Sequence, residues 1–184
     1  GLVRAAAEAA GVGDITVASA WDRVLRAAGD PEGGARVLAS AWARRPRSAV
    51  AANNLAWALT APGGDAARAL EVADRALALG ATPLSAVNDW RPGLELPLPS
   101  VLDTKAWALH RLGRDAEALA LVERALRLVD GARSGGGEIA SHRAEILAAL
   151  GRVEAANLAW RDCARRDPAS RWGARCRQRA LGLP

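Results

Sequence analysis

The sequence predicts an all-α fold, a stack of antiparallel helical hairpins. Three observations predict it. Across residues 101–129 apolar side chains recur at three- and four-residue steps, the spacing of one helix face. Gly113 interrupts that pattern near its middle, where a tight turn between two helices needs a permissive backbone. Degenerate copies of the same unit lie on both sides of it.

Leu102, Ala106, Leu109 and Leu112 make the apolar face of the first helix of that unit. Ala118, Leu121, Val122, Ala125 and Leu128 make the face of the second. Alanine at 118 and 125 lets the two backbones approach closely, and Glu123 and Arg127 stand four apart on the outer side in the favourable order. Such a hairpin has one apolar side that it cannot bury alone, so copies must stack. The unit resembles a tetratricopeptide repeat. Leu102, Lys105, Ala106, Leu109, Ala118, Val122, Ala125 and Asp130 hold the matching places of that family's pattern. Lys105 replaces the family's leucine, and its long stem can pack while the ammonium reaches water. The resemblance implies a right-handed superhelical solenoid with a concave groove lined by the first helix of every repeat.

Residues 1–14 read as a partial helix of a truncated repeat, rich in alanine. The first full hairpin covers 15–48, with Ala18, Trp21, Leu25, Gly34, Leu38, Ala41 and Pro46 at key places and Asp22 where a small residue is expected. Gly29, Asp30 and Pro31 make its turn, and Pro46 ends its second helix. The second hairpin covers 49–83 on Ala52, Leu55, Ala56, Leu59, Ala69, Ala73 and Ala76. It needs one residue inserted in the turn 61–65, and Asp65 caps the helix that follows.

Residues 84–100 break the spacing. Pro92, Pro97 and Pro99 each push the preceding residue toward extended geometry, so the stretch reads as an insertion that no helix crosses. Two readings stand: a surface loop whose Trp90 and leucines cover an edge, or a flap across the groove. The third hairpin covers 101–132. A glycine-rich linker, 131–137, follows; it lacks the Gly-Lys-Ser/Thr ending of a phosphate-cradling loop. The fourth hairpin covers 137–170 on Ala140, Ala144, Leu147, Gly151, Ala156, Trp160, Cys163 and Pro168, with Arg143 again a cation where leucine is usual. Residues 171–184 form an arginine-rich helix that caps and solvates the end.

A chain of 184 residues, 51% hydrophobic, is long enough for one domain or a short repeat array. It contains no methionine, so Gly1 reads as a cut from a longer chain, and a signal peptide ahead of it would not be visible. All seven aromatic residues are tryptophan, and every cation but Lys105 is arginine, a bias of composition rather than a sign of function. No run of about 18 apolar residues exists to span a membrane. The expectation is a soluble protein, with the cytoplasm slightly favoured.

The resemblance also places the groove lining. It puts Arg23 on the first hairpin, Asn53, Asn54 and Trp57 on the second, Asp103, Trp107 and His110 on the third, and Glu138, Ser141, His142 and Glu145 on the fourth. Trp57 and Trp107 occupy equivalent places and are expected side by side, either as anchors for a peptide or as packing between helices. Asn54 stands where relatives present an amide to a peptide backbone. No other residue fits the grip that some relatives place on a terminal carboxylate.

Signs of chemistry are few. His110 and His142 lack a second pair of metal-spaced ligands and read as ordinary surface residues. Cys163 and Cys176 form no C-x-x-C motif, and Cys163 fills a small buried place, so free thiols are expected rather than a bond. No nucleophile elbow, zinc-protease motif or carboxylate pair is present, and no enzyme activity, metal or cofactor is expected. The formal net charge is +5, and Arg165, Arg166, Arg171 and Arg175 belong to a basic C-terminal end that could meet an acidic partner or nucleic acid. Interleaved Asp162 and Asp167, and the lack of a regular base-reading row, argue against nucleic acid. The reading is a non-enzymatic scaffold that binds a peptide or helix of a partner protein in its groove. The alternatives are binding through the basic end, or the repeat region of a larger enzyme with catalysis elsewhere.

Overall fold

The computed structural model describes residues 14–80, 98–130 and 136–182. Among them are nine helices and no strand. The helix expected before residue 14, most of the 84–100 insertion and residues 131–135 of the linker lie outside the described residues. The chain divides into two compact units, residues 1–97 and 98–184.

The first unit holds α1 (Ile15–Ala27), α2 (Pro31–Arg44), α3 (Ala49–Leu59) and α4 (Ala66–Gly80). Asp14 starts α1 by accepting the Thr16 N–H, and Asp30 starts α2 by accepting the Gly33 N–H. Pro31 opens α2, where its missing N–H costs nothing. Ser48 caps α3 from a buried position, its Oγ accepting the Ala51 N–H at 3.0 Å. α1 packs on α2 and α3 on α4, while α3 also lies against α1 and α2. Fully buried alanines at 18, 51, 52, 56, 69, 73 and 76 allow this close approach, and Leu38 and Leu55 fill the space between.

Asp22 is buried on α1 where the repeat pattern asks for a small residue. Two features accommodate it. Its Oδ1 accepts the Arg26 Nε–H at 2.8 Å. Opposite it on α2 stands Gly34, where a Cβ would come within 2.4 Å of the same oxygen. A bulkier residue on one helix is matched by an absent side chain on the other.

The second unit holds α5 (Leu98–Arg111), α6 (Asp115–Asp130), α7 (Gly137–Ala149), α8 (Val153–Arg166) and α9 (Arg171–Ala180). α5 begins at Leu98, at the end of the stretch read as an insertion. Pro99 falls in its first turn, where no intrahelical N–H bond is lost. α5 pairs with α6 and α7 with α8; α7 lies also on α6 and α5, and α9 on α8 and α7. Arg143 of α7, a cation at a usual leucine place, reaches Glu123 of α6 at 3.7 Å.

Three hairpin turns share one device. Gly29, Gly113 and Gly151 take φ values of 82°, 73° and 70° just past α1, α5 and α7. The next residue then donates its N–H back to the helix: Asp30 to Leu25, Arg114 to Leu109 and Arg152 to Leu147, at 2.8 to 3.0 Å. This satisfies carbonyls that a helix end leaves open and reverses the chain in three residues. The α3–α4 turn is longer, residues 60–65, and carries Pro62, Gly63 and Gly64.

Cys163 of α8 and Cys176 of α9 are joined by a disulfide with a Cα–Cα distance of 5.9 Å. This corrects the expectation of free thiols. The chain turns back after α8, and Gly173 lets α9 lie so close that a Cβ there would stand 2.1 Å from the Asp167 carbonyl oxygen. That approach carries Cys176 onto the small buried place that Cys163 fills.

Candidate functional site

In the first unit the candidate residues lie on the first helices, α1 and α3. Ser19 and Arg23 are four apart on α1, and Asn54 and Trp57 three apart on α3, so each pair shares a face. The Asn54 Nδ2–H donates to Ser19 Oγ at 2.9 Å and ties the two faces together. Ser19 in turn donates its hydroxyl to the Ile15 carbonyl at 2.7 Å. Asn54 and Trp57 are half-buried and Arg23 is exposed. Asn53 is turned inward, 7% exposed, and its Oδ1 has no hydrogen-bond partner among the described residues.

In the second unit the candidates gather into one cluster. Asp103 of α5 and His142 of α7 are buried, and His142 Nδ1 lies 2.9 Å from each carboxylate oxygen of Asp103. An ionised carboxylate has nothing to donate, so the ring hydrogen sits on Nδ1. Trp107, one turn beyond Asp103 and half-buried, stacks on the His142 ring at 4.3 Å with 23° between planes. On α5 His110 tilts against Trp107 at 4.7 Å, and its Nδ1 meets Asp115 of α6 at 2.5 Å. Trp172 of α9 presents an edge contact to His142 at 5.5 Å and 76°. The result is a ring ladder fastened by a carboxylate at each histidine.

The expectation that both histidines are ordinary surface residues is therefore corrected. His142 is 1% exposed and links two helices, and His110 is half-buried and paired. Sequence spacing does not single out Asp115, and its one signal is an acidic residue opening the helix that follows His110. Trp57 and Trp107, expected side by side, belong to different units.

Glu138 stands one turn before His142 on α7. Burial pushes its carboxyl above the ordinary range, the His142 charge opposes that, and Asp103 adds to it. A carboxyl raised in the folded state binds its proton more tightly there than when unfolded, so it stabilises below the usual carboxylate pKa and loses that contribution as pH rises. Glu138→Gln is therefore expected to make the second unit more stable than the parent at pH 7 and indistinguishable from it at pH 3. Thermal unfolding at the two values measures this; an equal gain at both would assign the effect to packing.

The basic C-terminal end spends its cations on neighbours. Arg166 meets Asp162 at 2.6 Å and Arg165 the same carboxylate group at 3.6 Å. Arg175 pairs with Glu145 of α7, Arg179 approaches the same oxygen at 3.9 Å, and Arg171 lies 4.6 Å over the Trp172 ring. Among the described residues no group of three His, Cys, Asp or Glu is placed to hold a metal ion. No described helix is long and apolar enough to cross a membrane.

Solved structures of similar shape were found. A thermophilic TPR protein from Thermus thermophilus matches with a TM-score of 0.65 at 20% identity, over 92% of this chain and 82% of that one. The fold is that of a tetratricopeptide-repeat protein. YrrB, a TPR protein with an unusual peptide-binding site, matches with a TM-score of 0.53 at 15% identity, over 90% of this chain and 75% of that one. No protein-family model and no curated protein matches the sequence. Within the TPR fold, Asp22 and Arg143 are local departures from the repeat pattern, and each has its compensating neighbour.

Proposed function

We propose that this chain is a non-enzymatic scaffold that binds a peptide segment of a partner protein along its first helices. Two tryptophans carry the reading, Trp57 in the first unit and Trp107 in the second. They hold the same place in successive repeats, and each leaves an indole half out of the core. Beside Trp57 stand Asn54, whose amide can serve a peptide backbone, and the exposed Arg23. Beside Trp107 stands the half-buried His110. Asn53 and Asp103 support these faces from within. The description of one structural neighbour as peptide-binding favours the same use here. Binding through the basic end fits less well, since its arginines are engaged with Asp162, Glu145 and Trp172.

A partner captured by the parent chain is to be titrated against Trp57→Ala and Trp107→Ala. Loss of an aromatic anchor from the centre of an interface costs about 2 kcal/mol or more, a drop of at least about thirtyfold in affinity. That loss is expected in at least one variant whose helical circular dichroism and melting match the parent. Parent-like affinity in both folded variants removes the first helices from the site. An affinity that falls steeply with salt and ignores both tryptophans points to the arginine-rich end instead.

A further inference from the structure

α9 is a helix that packing alone holds poorly. It has ten residues, of which only Gly173 and Cys176 are buried, and Gly173 contributes no side chain. Arg171, Arg175, Arg177 and Arg179 occupy four of the other places. So short and charged a helix is marginal in water by itself. Its side-chain ties include the Glu145 ion pairs and the edge contact of Trp172 on His142, both to α7, and a bond from Arg177 Nη1 to the Pro168 carbonyl at 2.8 Å. The arginine ends of these ion pairs are exposed, and water weakens them there although Glu145 is half-buried. Against this stands one covalent bond, Cys163–Cys176, with both residues at 0% exposure.

We propose that the seating of α9 on α7 and α8 depends on oxidation: the disulfide latches the helix, and a dithiol reductant releases it with both hairpins of the second unit still folded. In that exchange a dithiol thiolate attacks one cysteine sulfur, the S–S bond breaks, and the departing cysteine takes up a proton. The second sulfur of the reductant closes on its first and frees the other cysteine as a thiol. The protein disulfide gains two electrons and two protons, and the dithiol is oxidised to a cyclic disulfide. Because both sulfurs are buried, attack follows a local opening of α9. Once the bond is gone, the short helix is left to weak ion pairs at its surface, which salt screens further. Release uncovers the side of α8 at Cys163 and takes Trp172 off His142.

Iodoacetamide labelling of the denatured chain, followed by hydrogen–deuterium exchange with and without dithiothreitol, tests this. The expected result is no label before reduction and two labels after it. Amides of residues 171–180 then exchange on the order of a hundredfold faster in the reduced chain, from the loss of a short closed loop, while α5 to α8 keep their protection. Cys176→Ala is expected to show the reduced pattern without reductant. Two labels before reduction, unchanged protection of α9 after it, or loss of protection in α7 and α8 together with α9 would each overturn the proposal.

Discussion

Asp103→Ala is expected to lower the unfolding free energy of the second unit by about 3 kcal/mol. His142 is 1% exposed, and Asp103 accepts its Nδ1–H with both oxygens. Alanine removes the acceptor and leaves the ring enclosed between Trp107 and Trp172, with a buried donor that water reaches poorly. The loss falls on the contact between α5 and α7, the first helices of two hairpins, and not on either hairpin alone. Asp103→Asn, which keeps the shape and one acceptor, is expected to cost less. Replacing both partners with apolar residues of similar size removes the orphaned group and is expected to recover much of the loss. Urea titration gives the magnitude, and exchange protection of α5 and α7 assigns it to the second unit. A single Asp103→Ala variant within about 0.5 kcal/mol of the parent, the range of an ordinary surface change, would mean that His142 finds water.

Gly173→Ala is expected to cost about 2 kcal/mol, because its new methyl group meets backbone rather than a side chain that can turn away. The added Cβ would lie 2.1 Å from the Asp167 carbonyl oxygen, 2.9 Å from its carbon and 3.0 Å from Pro168 Cα. Relief requires α9 to lift from α8, and the disulfide and the Ser170 cap both resist that. The loss should appear first as faster exchange in residues 171–180. Gly113→Ala is the control: nothing lies within 4 Å of a Cβ there, and only the φ of 73° is costly. Its effect is expected at about 1 kcal/mol and in α5 and α6. A Gly173→Ala chain as stable as the parent would show that α9 does not lie so close.

The hairpins are legible in the sequence because their causes are local. Apolar spacing sets each helix face, and a glycine in the left-handed region closes the turns after α1, α5 and α7. The start of α5 is less legible. Proline density in 84–100 argues against a helix, but a proline in the first turn carries no penalty, so Pro99 is compatible with either state. What periodicity does not show is which side chains meet across helices. Asp103 and His142 stand 39 residues apart, and each alone reads as a polar residue on a groove-lining helix. Their pairing depends on how deeply α7 settles against α5. The two cysteines fail for a similar reason: a separation of 13 permits a bond or forbids it according to the turn between α8 and α9. Of the candidate residues, Trp57, Trp107 and Asn54 are half-buried and Arg23 is exposed, as a lining position would leave them. Asn53 and Asp103 hold equally good positions and are turned inward.

The close approach of Asp22 to Gly34 has a consequence for how such a chain can change over generations. An oxygen on α1 and a Cβ on α2 claim the same space, 2.4 Å apart. A mutation to alanine at 34 is therefore harmful while aspartate stands at 22, and becomes much milder once 22 is a small residue, when only a 3.3 Å approach to the backbone of 22 is left. The order of the two steps matters, because only the path through small residues at both positions avoids the clash. Among diverged descendants of this repeat the two sites should vary as a linked pair, and Arg26, which closes on Asp22 at 2.8 Å, should drift freely wherever the aspartate is gone.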